Sequence, residues 1–169
     1  MNQVSLQSKK NNSLPVIKVK DLKVHFNLKD QVVKAVDGVS FDIKKGETIA
    51  IVGESGSGKS VTALSLMRLI DYSGGKIISG EINLETKNKL NLDLVQQSQE
   101  VMKDIRGNDV SMIFQEPMTS LNPVFTIRMQ MTETIIKHQR KTKAEALEIA
   151  LEMLKIVRIP EPEKRLNQY

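Results

Sequence analysis

Eight consecutive residues, Gly53-Glu54-Ser55-Gly56-Ser57-Gly58-Lys59-Ser60, have the types and spacing of a phosphate cradle, G-x-x-x-x-G-K-[ST]. Glycine at 53, 56 and 58 lets the backbone wrap an anion with no Cβ in the way. Successive backbone N–H groups at the start of a helix, here reaching Val61, point at that anion. Lys59 is placed to reach the β- and γ-phosphates, and the Ser60 hydroxyl to ligate Mg²⁺. The chemistry is the holding of a nucleoside triphosphate. Glu54 and Ser57 fill variable positions of the pattern, and their side chains need not touch the nucleotide. A glycine-rich turn ending by chance in Lys-Ser would not need the flanks this loop has.

Those flanks are the elements that must position it. Glu47 to Val52 is a short apolar, β-branched run and predicts a buried parallel strand. Val61 to Ile70 predicts a helix. Strand, Gly-rich loop and helix is the context the motif requires. Upstream, Val16 to Lys20 alternates, slips by one at Asp21-Leu22 and resumes as Leu22, Val24, Phe26, the pattern of a strand with a bulge. Asn27 to Asp30 is turn-like, Gln31 to Val36 a return strand, Asp37-Gly38 a turn, and Val39 to Ile43 a further strand. An antiparallel β layer therefore precedes the loop. Downstream, Ile77 to Leu84 predicts a β segment, Glu85 to Asn91 a loop, Asp93 to Arg106 a helix, and Val110 to Phe114 a second buried strand. Thr126 caps a helix to about Gln139. Thr142-Lys143-Ala144-Glu145 is a capping box opening a helix with Leu147, Ala150, Leu151, Leu154 and Val157 on one face, stopped by Pro160. That stripe reads as ordinary core.

Composition bounds the class. The chain has 169 residues, 40% of them hydrophobic, with no Trp and no Cys, so disulfides and thiolate metal sites are excluded. No apolar run approaches the ~20 residues of a membrane-spanning helix. Residues 1–15 are polar, without the apolar centre of a secretory signal, and read as a disordered leader. The net charge is +5, spread along the chain rather than gathered into a nucleic-acid patch. The densest cluster, Lys137, His138, Arg140, Lys141 and Lys143, reads as a solvated surface; a phosphate-binding patch is the alternative, and a nearby anionic lipid surface would tolerate it.

Two runs together, VKAVDGVSFDIKKGETIAIVGESGSGKS and SMIFQEPMTSLNP, resemble the ATP-binding subunit of an ABC transporter. The wording GESGSGKS with FQEPMTSLNP is closest to the oligopeptide/dipeptide importer branch, which also serves nickel and metal chelates. The resemblance covers Val16 to the end. It implies an α/β fold: a partial P-loop NTPase core over residues 16–114 with its antiparallel β layer, and the start of a helical subdomain over 115–169. It implies that Phe26 stacks on adenine, with a core position in the β layer as the alternative that its alternation with Val24 also suits, and that Gln115 ligates Mg²⁺ or orients the attacking water. It further implies ATP and Mg²⁺ as cofactors. The implied partners are a second ATP-binding subunit, the same or different, membrane-spanning permease subunits met through the Gln115 loop and the helical region, and, indirectly, an extracytoplasmic solute-binding protein. The place is the cytoplasmic face of the cell membrane, peripherally.

The family pattern continues beyond Arg165-Leu166-Asn167-Gln168-Tyr169 into a signature motif, then a strand bearing an Asp and a general-base Glu, then a switch His. None of these is found within the 169 residues. Asp109 and Glu116 do not match the missing roles. His25 and His138 match no switch context and read as surface residues. The expectation is an ATP-binding portion of an importer subunit with negligible hydrolysis by itself. Two alternatives stand beside it. One is a non-catalytic nucleotide-binding fragment. The other is a soluble P-loop kinase, which leaves SMIFQEPMTSLNP unexplained.

Overall fold

The computed structural model describes residues 14–86, 91–114 and 120–169. The chain divides into two compact units, the first ending at Met102 and the second running Lys103–Tyr169.

The first unit is built on an antiparallel sheet ordered β2-β1-β3-β4, with β1 Pro15–Asn27, β2 Val32–Lys44, β3 Gly75–Leu84 and β4 Leu92–Asp93. The β1 alternation buries Ile17, Val19, Leu22 and Val24 on one face, against Val36 of β2 and Ile82 and Leu84 of β3. Each such aliphatic side chain contributes about 2 kcal/mol when fully buried. Also buried in this unit are Met67 and Ile70, which follow helix α1 (Lys59–Leu66), and Leu92, Leu94 and Met102. The slip at Asp21 is a real irregularity: the register jumps between Val19 and Leu22, and Asp21 has φ +46°.

Three expectations are corrected here. Asp37-Gly38 is not a turn. β2 runs through it as one strand, and Gly38, at φ +81°, is an extra residue between the Leu22–Val39 and Lys23–Asp37 pairs. A bulge and a turn ask for the same residue types, so local sequence does not separate them. Glu47–Val52 and Val110–Phe114 form no strands. A parallel strand is held by hydrogen bonds from neighbours distant in sequence; among the described residues neither segment joins the sheet, and the single bridge of Val110, to Arg106, is local. Val52 is left 90% exposed and Ile113 97%. The Asp93–Arg106 helix is broken into a 3-10 turn, Leu94–Gln96, and α2, Gln99–Ile105. Asp93 accepts from Val95 N at 3.0 Å, which caps the turn instead of continuing a helix.

The second unit packs α3 (Ile127–Gln139), α4 (Lys143–Ile156) and α5 (Pro162–Arg165) around Ile135, Ala146, Ala150 and Leu166. Thr126 caps α3, accepting from Met129 N. The first N–H groups of α3, at Ile127 and Arg128, donate to the carbonyls of Gln168 and Leu166, so the last residues satisfy donors a helix start leaves open. The capping box forms at Thr142 and Glu145. Leu147, Leu151 and Leu154 lean on the core as expected, but Val157, beyond the last turn of α4, is exposed. No helix among the described residues is long and apolar enough to cross a membrane.

Candidate nucleotide site

The glycine-rich loop ends on Gly58, which takes the left-handed conformation, φ +87°, and opens α1. A β-carbon at Gly58 would run into the carbonyl oxygen of Ala35 on β2, with Val36 Cγ2 beyond it. The loop is therefore seated directly on the β2 backbone, and only glycine fits that seat. Earlier in the loop, Ser57 N donates to Glu54 O at 3.2 Å and closes a turn. Gly53 lies close under Ser57, whose hydroxyl would be 2.6 Å from an added β-carbon.

The Lys59 ammonium folds back into the loop. It donates to Gly53 O at 2.8 Å, Glu54 O at 2.6 Å and Ser57 Oγ at 3.4 Å. The first turn of α1 has neither a side-chain cap nor an acidic residue. Its N–H groups and the positive end of its dipole therefore face the loop uncompensated, the electrostatics an anion requires. The hydroxyls along α1 divide into two kinds. Thr62 Oγ1 donates to Gly58 O at 2.9 Å and Ser65 Oγ to Val61 O at 2.7 Å, both inward. Ser60 is exposed, and its hydroxyl engages none of the described residues. Among the described residues no cluster of His, Cys, Asp and Glu could hold a metal unaided. Ser60 fits a Mg²⁺ that draws its other ligands from phosphate oxygens and water, as this hard cation usually does.

Phe26 lies near the end of β1, paired with Val33 on β2 and Gly75 on β3. It is half-buried, and its Cζ would be 3.0 Å from a β-carbon on Gly75. The ring thus covers a bare stretch of β3 backbone and keeps part of its surface accessible. The sheet register places Phe26 two β1 residues from Val24, which pairs with Val36 beneath the loop. The candidates of the first unit, Phe26 and Gly53 to Val61, are thereby tied to one pair of strands. Gln115 and Glu116 lie outside the described residues. His25 and His138, read as surface residues, are both half-buried; His25 lies between two strands and His138 lies against Gly107.

Sequence reasoning missed the buttress behind α1. Arg68, in the left-handed region at φ +53°, donates from Nε and Nη2 to Asp71 Oδ2 at 3.0 and 2.7 Å. Its Nη1 reaches the carbonyls of Leu94, Val95 and Gln97 at 3.2, 3.1 and 2.7 Å. Gln99 Nε2 also donates to Asp71 Oδ2. A lone Arg after an apolar helix gives no sign of such partners. In the second unit, a groove of about 610 Å³ opens along α3 and the start of α4, with Phe125, Met129, Ile136 and Leu147 in its apolar lining and Arg128, Glu133 and Lys143 in its charged lining.

A family profile described as ABC transporter matches residues 36–168. The chain is 49% identical over 154 residues to a probable peptide ABC transporter ATP-binding protein of Sinorhizobium fredii, covering 91% of this chain and 44% of that protein. It is 51% identical to the oligopeptide transport ATP-binding protein AppD of Bacillus subtilis (91% and 45%). It is 52% identical to the glutathione import ATP-binding protein GsiA of Salmonella choleraesuis (93% and 25%). The chain thus spans less than half the length of these curated relatives. Among solved structures, the dimeric bacterial ABC transporter cassette MJ0796 superposes with a TM-score of 0.73 at 25% identity, over 90% of this chain and 60% of that one. A second structure of that cassette, in a post-hydrolysis state, is bound to ADP and Pi with the same score.

Proposed function

This chain belongs to the ABC transporter family, and from that premise we propose that it is the ATP-binding portion of a subunit that energises import of oligopeptides, dipeptides or a related solute. The relatives named for peptide, oligopeptide and glutathione transport support the substrate class. The observation that carries the nucleotide reading is the loop itself, with Gly58 seated on Ala35, an uncompensated helix start and Lys59 poised within it. Residues 16–114 supply the nucleotide-binding part and 115–169 the start of the helical region.

The geometry of the loop and its flanks supports the following roles. The N–H groups from Gly53 to Val61 cradle the phosphates, and Lys59 exchanges its carbonyl partners for β- and γ-oxygens. Ser60 holds Mg²⁺, which when bound neutralises charge building on the transferred phosphoryl group. Phe26 offers its open face to adenine, a contact of about 1 kcal/mol. By resemblance alone, Gln115 is the residue that would ligate Mg²⁺ or orient the attacking water. The largely apolar groove of the second unit, with charges of both signs in its lining, suits a short amphipathic segment of a membrane-spanning partner. That docking sets the subunit on the cytoplasmic membrane face. A second ATP-binding subunit completes the site across a dimer, as the dimeric cassette suggests by analogy.

Phosphoryl transfer to water depends on positioning and charge stabilisation. The 169 residues taken alone offer neither a matched general base nor a facing signature, so ATP binding without appreciable turnover is expected of them. Calorimetry with MgATP tests the reading: binding is expected for the chain and weakened by about one to two orders of magnitude in Lys59→Ala. An affinity unchanged by Lys59→Ala moves the nucleotide away from this loop. Turnover on the order of 1 s⁻¹ would overturn the inactivity.

A further inference from the structure

The face of the sheet turned away from the core carries charges in rows, because directly paired residues of antiparallel strands share a face. Lys18 pairs with Asp42 on one side and Asn83 on the other. Lys20 pairs with Glu81. Lys23 stands between Asp37 and Ser79, with its Nζ 3.9 Å from Asp21. Each of these lysines has a carboxylate as its cross-strand neighbour.

The row beside Phe26 breaks the rule. His25 pairs with Lys34 on β2 and with Lys76 on β3. Three basic side chains stand abreast with no acid in the row, an arrangement that is unfavourable by itself. Among the described residues neither lysine forms an ion pair. The His25 Nε2 atom is buried and has no hydrogen-bond partner, whereas buried polar atoms nearly always have one. Both lysines are exposed, so their long stems are free to converge over the imidazole.

We propose that Lys34, His25 and Lys76 form a second anion site, separate from the glycine-rich loop, for a phosphate-type oxyanion. Two ammonium groups with three donors each, flanking an imidazole, surround a small anion from several sides. A tetrahedral oxyanion has acceptors enough to meet all three side chains at once, and a lone carboxylate has fewer. The site lies on the reverse of the strand end that carries Phe26. It does not depend on the nucleotide reading of the loop. The same chemistry is presented by free phosphate and by the phosphate headgroup of a lipid.

The test uses the whole chain with ¹⁵N-labelled histidine. Its two histidines give an internal reference, since His138 lies on α3 in the second unit. Inorganic phosphate, titrated at constant ionic strength against chloride, should move the His25 imidazole resonances saturably and leave those of His138 in place. The paired substitution Lys34→Gln/Lys76→Gln should weaken the response about tenfold or more, and Lys59→Ala should leave it intact. Circular dichroism checks the fold of the pair, and either single substitution serves in its place if the pair unfolds. A second arm compares sedimentation with phosphatidylcholine vesicles with and without phosphatidic acid. Retention that requires phosphatidic acid and is lost in the paired variant, without a response to free phosphate, assigns the site to lipid headgroups. No response in either arm overturns the proposal. So does a shift that chloride reproduces, that His138 shares, or that survives the lysine substitutions.

Discussion

The Lys59 ammonium already has three oxygen partners in the loop, so nucleotide entry is an exchange of partners and not the filling of an open charge. Charge-assisted hydrogen bonds to phosphate contribute about 1.5–3 kcal/mol net. Lys59→Ala should weaken MgATP binding by one to two orders of magnitude, roughly, on that ground. Two glycines permit a sharper comparison. Gly56 and Gly58 both have positive φ, but an added β-carbon at 56 meets open space and at 58 meets the Ala35 carbonyl. Gly56→Ala should cost about 1–2 kcal/mol of stability from its backbone conformation alone. Gly58→Ala should cost measurably more and also impair nucleotide binding. Equal denaturation midpoints for the two variants would show that β2 does not constrain the loop.

The starts of α3 and α4 were legible in the sequence; the start of α2 and the strand partners were not. Thr126 and Thr142 announce α3 and α4 because capping is satisfied within four residues. The Asp21 slip was equally local. Glu47–Val52 and Val110–Phe114 had the composition of buried strands, but a strand exists only when another lies beside it. The phosphate motif was fully readable; its seat on Ala35 was not, since the pairing that brings β2 there is remote from Gly58. Two tests belong to this scale. In the capping box Glu145 accepts from the Thr142 backbone N–H and hydroxyl, both at 2.8 Å, with Lys141 Nζ at 3.1 Å. These bonds, the backbone one foremost, lower its carboxyl from 4.5 to about 2. The folded form therefore favours the carboxylate. The contribution is fully present above pH 4.5 and lost as pH falls through about 2. Helicity of the chain should decline in that acid window, and Glu145→Gln, which retains a capping amide, should flatten the decline. The second concerns the buttress behind α1. Arg68→Ala leaves the Leu94, Val95 and Gln97 carbonyls short of a donor and should destabilise the first unit by about 2–3 kcal/mol, read from urea unfolding.

For the whole molecule, the exposed apolar segments govern behaviour in solution. Val52 and Ile113 are almost fully exposed, and Ile51 and Phe114 about half. Such surface invites association. The chain alone should bind a hydrophobic dye and self-associate with rising concentration, and Val52→Asp with Ile113→Asp should reduce both; unchanged sedimentation would remove these segments as the cause. The seat of the loop has a different consequence. Between the Val24–Val36 and His25–Lys34 pairs, Ala35 has no partner on β1, and its carbonyl is what Gly58 rests against. The phosphate cradle is thereby indexed to the residue count of an edge strand. A residue inserted or deleted in the turn 28–31 leaves that index untouched. One inserted or deleted between Val32 and Lys44 advances or retards β2 by a step and presents a different carbonyl to the loop. Tolerance to length change should therefore end abruptly at Val32, and a scan of single-residue insertions read out by nucleotide retention would trace that border.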